Sequence, residues 1–119
     1  MSTMLYMVPG QAPLLIQMRK GALEYCVLAL LRHDERYGFE LVRELSAAEL
    51  VTSEGTIYPL LSRLRKDGLV ETTWRESTQG PPRRYYRLST QGKASLESFV
   101  GQWQQFSEAV NRILMSGAG

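Results

Sequence analysis

Ser53–Gly68, Ser-Glu-Gly-Thr-Ile-Tyr-Pro-Leu-Leu-Ser-Arg-Leu-Arg-Lys-Asp-Gly, is the stretch from which the fold can be read. The Ser53 hydroxyl suits the N-cap of a helix, where it accepts an orphan backbone N–H. Glu54 follows in the first turn, where the helix dipole favours an anion. Ile57, Leu60, Leu61 and Leu64 recur at helical spacing and make one apolar stripe. The other side carries Thr56, Tyr58, Ser62, Arg63 and Lys66, which can donate to phosphates and base edges. Gly68 suits the left-handed cap that closes a helix. Beyond it, Leu69–Arg75 and Arg83–Leu88 are rich in β-formers and flank the tight turn Gly80-Pro81-Pro82. Arg83 and Arg84 leave that turn as adjacent cations, and Tyr85 and Tyr86 fall on opposite strand faces. A capped helix, two short strands and a basic turn predict a winged helix-turn-helix, mainly α with a small β-hairpin.

Upstream, Pro13 suits the first position of a helix. Leu14, Leu15, Met18, Leu23, Val27, Leu30 and Leu31 give that helix a broad apolar face, and Gly21 weakens it without ending it. Arg32–Arg36 is a polar connection. A second helix is predicted from about Tyr37 to Ala48, with Phe39, Leu41, Val42 and Leu45 inward. Leu50-Val51-Thr52 links it to the third helix and has the makings of a brief strand.

Downstream, Ser89-Thr90-Gln91-Gly92 opens a helix that runs to about Met115. At 1.5 Å per residue its roughly 24 residues span about 36 Å, more than a compact domain of this size needs. Leu96, Trp103 and Val110 are seven apart, as are Phe99, Phe106 and Ile113, and Val100 and Leu114 widen the stripe. Interleaved a and d positions of this size predict packing against another helix, here the same helix of a second subunit. The expected organisation is an N-terminal arm over 1–12, the winged domain over 13–88 and a dimerisation helix over 89–119.

Charge supports this division. The formal total is only +2. Residues 61–93 nevertheless hold eight Lys/Arg against three acids, whereas residues 1–60 and 94–119 are both net negative. The basic excess lies on the predicted reading helix and wing. Cys26, the single cysteine, sits in an apolar run. It reads as a core residue in a reducing, cytoplasmic compartment, with a redox sensor as the alternative. No run approaches the length of a membrane span. Met1–Gln17 lacks a charged n-region and contains Pro9, Gly10 and Pro13, so it reads as an arm and not as a secretion signal. His33, the one histidine, lies in a polar connection without Cys/His or paired-carboxylate companions. No metal, cofactor or enzyme chemistry is expected.

Four blocks occur in order: Lys20-Gly21-Ala22-Leu23-Glu24, Arg36-Tyr37-Gly38-Phe39-Glu40-Leu41, Ser53–Leu61 and Gly80–Leu88. In this the chain resembles the PadR family of bacterial transcriptional regulators over roughly Lys20 to Gly92. The single helix after the wing resembles that of the family's shorter members, which use it to dimerise. The resemblance implies a homodimeric repressor of a palindromic double-stranded DNA operator, often relieved by a small molecule.

The candidate DNA-binding residues are Tyr37, Ser53, Glu54, Gly55, Thr56, Tyr58, Pro59, Ser62, Arg63, Lys66, Pro82, Arg83 and Arg84. Arg63 and Lys66 read either as phosphate contacts or as solvated charges. Pro59 reads as an apolar contact to a thymine methyl or as a kink. Arg83 and Arg84 point opposite ways, so one is expected in the minor groove; the alternative is a cross-strand ion pair with Glu71 or Glu76. Tyr37, at the head of the second helix, reaches a phosphate or packs in the core. Leu96, Phe99, Val100, Trp103, Phe106, Val110, Ile113 and Leu114 are the candidate dimer seam. Within it, Val100, Trp103 and Phe106 line a pocket for a small planar apolar ligand, or simply fill the interface. The rival to DNA binding is a winged-helix protein-interaction module, against which the basic reading face counts.

Overall fold

The computed structural model describes residues 11–50 and 54–117, with side chains from Gly21 onward. Ser53, Val51 and Thr52, most of the N-terminal arm, and the side chains of Leu14, Leu15 and Met18 lie outside the described residues. The elements run α1 (Gln11–Leu30), β1 (Arg36–Tyr37), α2 (Gly38–Ala47), α3 (Glu54–Lys66), β2 (Val70–Ser77), β3 (Gly80–Leu88) and α4 (Thr90–Met115). The three strands form one antiparallel sheet in the order β1-β3-β2. β1 is an addition to the expected hairpin: Arg36 and Tyr37 pair with Tyr86 and Tyr85. Two residues are too few to show a periodicity, and so Arg36 reads as the end of a polar connection and Tyr37 as the head of the second helix.

One core binds these pieces. Leu23, Val27, Leu28 and Leu31 of α1 meet Leu41, Val42 and Leu45 of α2 and Ile57, Leu61 and Leu64 of α3. Val70, Tyr86 and Leu88 of the sheet and Leu96 of α4 close it. Each large aliphatic removed from water contributes about 1.5–3 kcal/mol. Gly38, Leu41, Val42 and Leu45 follow the i, i+3, i+4, i+7 row that α2 buries. Phe39, expected inward, is one step off that row, about 100° around the helix, and is exposed. Cys26 is half-buried against the core. Burial pushes its thiol pKa up, which makes it a poor nucleophile.

Two helices end in the same hydrogen-bond pattern. After α3, Gly68 has φ +78°, its N–H donates to the Arg65 carbonyl and the Leu69 N–H donates to the Leu64 carbonyl. This is the Schellman cap. After α2, the Glu49 N–H donates to Ser46 and the Leu50 N–H to Leu45, but the residue at φ +62° is Glu49, not glycine. α4 begins where α3 ends. The Ser89 hydroxyl donates to the Gly68 carbonyl (2.6 Å) and accepts the Gly92 N–H (2.9 Å), while the Ser89 N–H donates to the Leu69 carbonyl (3.1 Å). A Cβ on Gly92 would lie 2.0 Å from the Leu69 carbonyl oxygen, so only glycine allows this approach.

The left-handed Glu49 carries a cost that glycine avoids. Glu49→Gly is expected to stabilise the fold by roughly 0.5–1 kcal/mol once glycine's greater unfolded-state freedom is subtracted. Thermal unfolding should show a midpoint a few degrees higher; a lower midpoint would mean that the Glu49 side chain makes a compensating contact.

Candidate nucleic-acid interface

At 100° per residue, the buried Ile57, Leu61 and Leu64 turn Gly55, Pro59, Ser62 and Lys66 to the far side of α3. All four are exposed, as are Glu54, Thr56, Tyr58, Arg63 and Arg65 around them. α3 runs unbroken through Pro59. Pro59 has no N–H to give the Gly55 carbonyl, so that carbonyl lacks its usual helical donor.

The two flanks of this face meet different neighbours. On one, Arg63 Nη2 donates to Glu24 Oε1 of α1 at 2.7 Å. The sequence offered no sign of this pair, which joins residues 39 positions apart. A phosphate at Arg63 must compete with Glu24. On the other flank, the Tyr58 ring covers the head of α2: a Cβ on Gly38 would lie 2.6 Å from Tyr58 Cε1. Burial, and then the Glu54 carboxylate, raise the Tyr58 phenol above its ordinary pKa, so it remains a neutral hydrogen-bond donor.

Tyr37 sits beside this contact as the residue before α2, with its N–H donating to Glu40 Oε1 at 3.0 Å. Its ring tilts 59° to that of Tyr85, 5.6 Å away. The Arg83 guanidinium lies 4.5 Å from the Tyr37 centroid, and that of Arg75 lies 4.7 Å from Tyr85. Arg83 and Arg75 are paired directly across the strands, where like charges repel. Two aromatic faces and an ion pair from Arg75 to Glu35 relieve that repulsion. Arg84 points to the other face and lies over Trp74, its cross-strand partner, at 4.8 Å. Among the described residues neither Arg83 nor Arg84 pairs with an acid; Glu71 pairs instead with Arg87. Pro82 is exposed at the start of β3.

The basic segment is thus less free than its composition suggests. Arg63, Arg75 and Arg87 are tied to Glu24, Glu35 and Glu71. Arg65, Lys66, Arg83, Arg84 and Lys93 make no ion pair among the described residues. Arg65 and Tyr85 were not among the expected site residues. Arg65 lies about 80° from the core row on the exposed flank of α3, and β1 brings Tyr37 beside Tyr85.

α4 carries the second surface. Leu96, expected in an intersubunit seam, is only 3% exposed and belongs to the chain's own core. The first turns of α4 still face the domain, so that heptad position is spent there. Phe99 stacks on Tyr25 of α1, with centroids 3.9 Å apart and planes 2° from parallel, and Trp103 continues the stack 5.9 Å further on. Beyond this point the helix leaves the core. Val100, Trp103, Phe106, Ile113 and Leu114 are all exposed, Phe106 at 63% and Ile113 at 77%. Val110 is half-buried.

Comparison with known proteins identifies this arrangement. Residues 27–98 match the family model described as the transcriptional regulator PadR-like family. The chain belongs to the PadR-like family. It is therefore a DNA-binding transcriptional regulator. A PadR-like transcription factor from Bacteroides fragilis is 46% identical, with a TM-score of 0.71 over 82% of this chain and 94% of that one. A PadR-like transcriptional regulator from Bacillus cereus is 41% identical, with a TM-score of 0.73 over 82% and 96%. A transcriptional regulator of Mycobacterium tuberculosis is 35% identical over 80 residues, 67% of this chain and 74% of the relative. Membership in this family sets aside the protein-interaction module as the principal reading. No described helix is long and apolar enough to cross a membrane.

Lys66 and Arg63 should behave differently in this PadR-like chain. Lys66→Ala is expected to lower the slope of log K against log salt by about 0.9, the signature of one lost phosphate contact. Glu24→Gln removes an acid and releases Arg63, so it should raise affinity for mixed-sequence duplex. An unchanged affinity in Glu24→Gln would place Arg63 away from the DNA.

Proposed function

We propose that this chain is a homodimeric repressor of a pseudo-palindromic operator, released by a small planar apolar ligand bound between the subunits. Affinity comes mainly from phosphate neutralisation by Lys66, Arg65 and the wing arginines, and specificity from the Thr56–Lys66 face of α3. Glu54 and Gly55 at its N-terminal turn lie where reading helices meet base edges. Tyr37 and Tyr58 serve as neutral phenol donors at the junction of α2, α3 and the wing, and Pro59 offers an apolar edge to a thymine methyl. Ser53, the expected cap of α3, lies outside the described residues and belongs to this face by sequence alone.

One observation supports the dimer above all: six large apolar side chains of α4, from Val100 to Met115, are each more than two-fifths exposed. A stripe of this length on a helix of 26 residues, about 39 Å long, is costly in water. A second copy of α4 covers it symmetrically. The seam then consists of Val100, Trp103, Phe106, Val110, Ile113 and Leu114, with Phe99 at its inner edge and Leu96 withdrawn from it. Trp103 and Phe106 present ring faces to a planar ligand there, and Val100 adds an apolar wall. A ligand in the seam regulates only by favouring one dimer geometry over another. The Trp103–Phe99–Tyr25 stack gives that preference a route into α1.

Light scattering and sedimentation test the assembly. Wild type is expected as a dimer at micromolar concentration, and Trp103→Glu, which would bury an unpaired charge in the seam, as monomer or aggregate. A monomeric wild type would defeat the proposal. The ligand has its own test: planar polyphenols or planar organic cations should quench Trp103 emission and weaken DNA binding together. A broad panel that changes neither would leave the aromatics as packing alone.

A further inference from the structure

We propose that Trp74 is a positioning residue that holds the Arg84 guanidinium ready for the DNA backbone. The inference rests on the wing facing DNA, and it concerns a residue with no evident structural duty. Trp74 is 61% exposed, an unusual state for the largest side chain on a strand of this small sheet. It stands directly across from Arg84, whose guanidinium lies 4.8 Å from the ring centroid.

The face they share is the one that looks toward α3. Along β3, Leu88, Tyr86 and Arg84 alternate onto the same side. Leu88 and Tyr86 are buried in the core, and Tyr86 neighbours Tyr58 of α3. Arg84 is the next residue outward on that side, past the end of the core. A duplex whose backbone passes between reading helix and wing would meet it there. Arg83, on the opposite face, has its own aromatic seat on Tyr37.

What holds Arg84 is the indole. The Arg84 Nε is covered and finds no hydrogen-bond partner among the described residues, and the guanidinium makes no ion pair there. The ring face therefore does the work that a carboxylate does for Arg63, Arg75 and Arg87. The difference matters for function. A carboxylate neutralises the cation and must be displaced by phosphate, whereas an aromatic face restrains the side chain and leaves its charge unspent. The rotamer freedom lost on binding DNA is reduced in advance.

The test uses a mixed-sequence duplex titrated by fluorescence anisotropy over a range of KCl concentrations, so that no operator is needed. Arg84→Ala should lower the log–log salt slope by about 0.9. Trp74→Leu should weaken binding about threefold, Trp74→Phe should retain most of the affinity, and the Trp74→Leu/Arg84→Ala pair should bind no more weakly than Arg84→Ala alone. If Arg84→Ala lowers the slope but Trp74→Leu binds like wild type, Trp74 does not position Arg84. Losses that simply add would make the indole a DNA contact in its own right and overturn the proposal. An unchanged slope in Arg84→Ala overturns the proposal; an unchanged slope in Arg83→Ala as well would remove the wing from the interface, which is the separate failure of the underlying reading. In the free protein, the Arg84 Nε–H resonance should be moved upfield by the indole ring current and return in Trp74→Leu; an unshifted wild-type resonance also overturns it.

Discussion

The hydrogen bonds of Ser89 set the relation between the two working ends of this molecule. One hydroxyl donates to the Gly68 carbonyl at the end of α3 and accepts the Gly92 N–H at the start of α4, while the backbone N–H reaches Leu69. The last turn of the reading helix, the entry to β2, the exit of β3 and the root of the long helix therefore meet at one side chain. Gly92 lets α4 come this close. In the proposed dimer, a shift of α4 against its partner copy would reach α3 through this junction and not through a flexible linker. In a dimer, the angle between the two reading helices is set by the α4 seam and by this joint together.

Charge pairing shapes the reading surface as much as charge content. The stretch from Leu61 to Lys93 looks strongly basic, yet Glu24 and Glu35, both from outside it, neutralise Arg63 and Arg75. Apart from Lys93 on α4, the cations of this stretch without an ion pair among the described residues lie at the C-terminal end of α3 and at the wing. Those of the wing rest on aromatic rings. The molecule thus divides its arginines into two sets: some brace α1, β1 and β2 against their neighbours, and others are held without being neutralised. Exposed ion pairs of this kind contribute little to stability, about 0–1 kcal/mol each, so their larger effect is to decide which cations remain available.

Much of the fold is legible in the sequence because each element carries its own local signal. The Ile57/Leu61/Leu64 row and Gly68 mark α3, β-formers mark the wing strands, although these run on to Ser77 and begin again at Gly80 where a longer turn was expected, and Ser89 marks the start of α4. The features that escape such reading are set by partners distant in the chain. β1 is a strand only because Tyr85 and Tyr86 pair with it. Leu96 fits the heptad of α4 as well as Trp103 does, and only the position where α4 leaves the core assigns one to the interior and the other to the surface. Arg63 and Lys66 look alike in sequence, and Glu24, far upstream, separates them. Glu49 occupies a conformation that glycine normally marks, so the left-handed turn after α2 had no residue to signal it, although the helix end was expected within one residue of Ala47. For the candidate site, residue types and their order marked the outer face of α3, the wing and α4, whereas the ion pairs and aromatic seats that sort one arginine from another required the assembled structure.

The central claim is that two copies joined through α4 present two α3 helices and two wings to one duplex. Selection of bound fragments from a random DNA pool tests it most directly, because half-site symmetry and spacing are read together. The account predicts an inverted repeat whose half-sites lie one helical turn, about 34–36 Å, or a multiple of that apart. Enrichment of a single asymmetric site, or of no sequence at all, would contradict it.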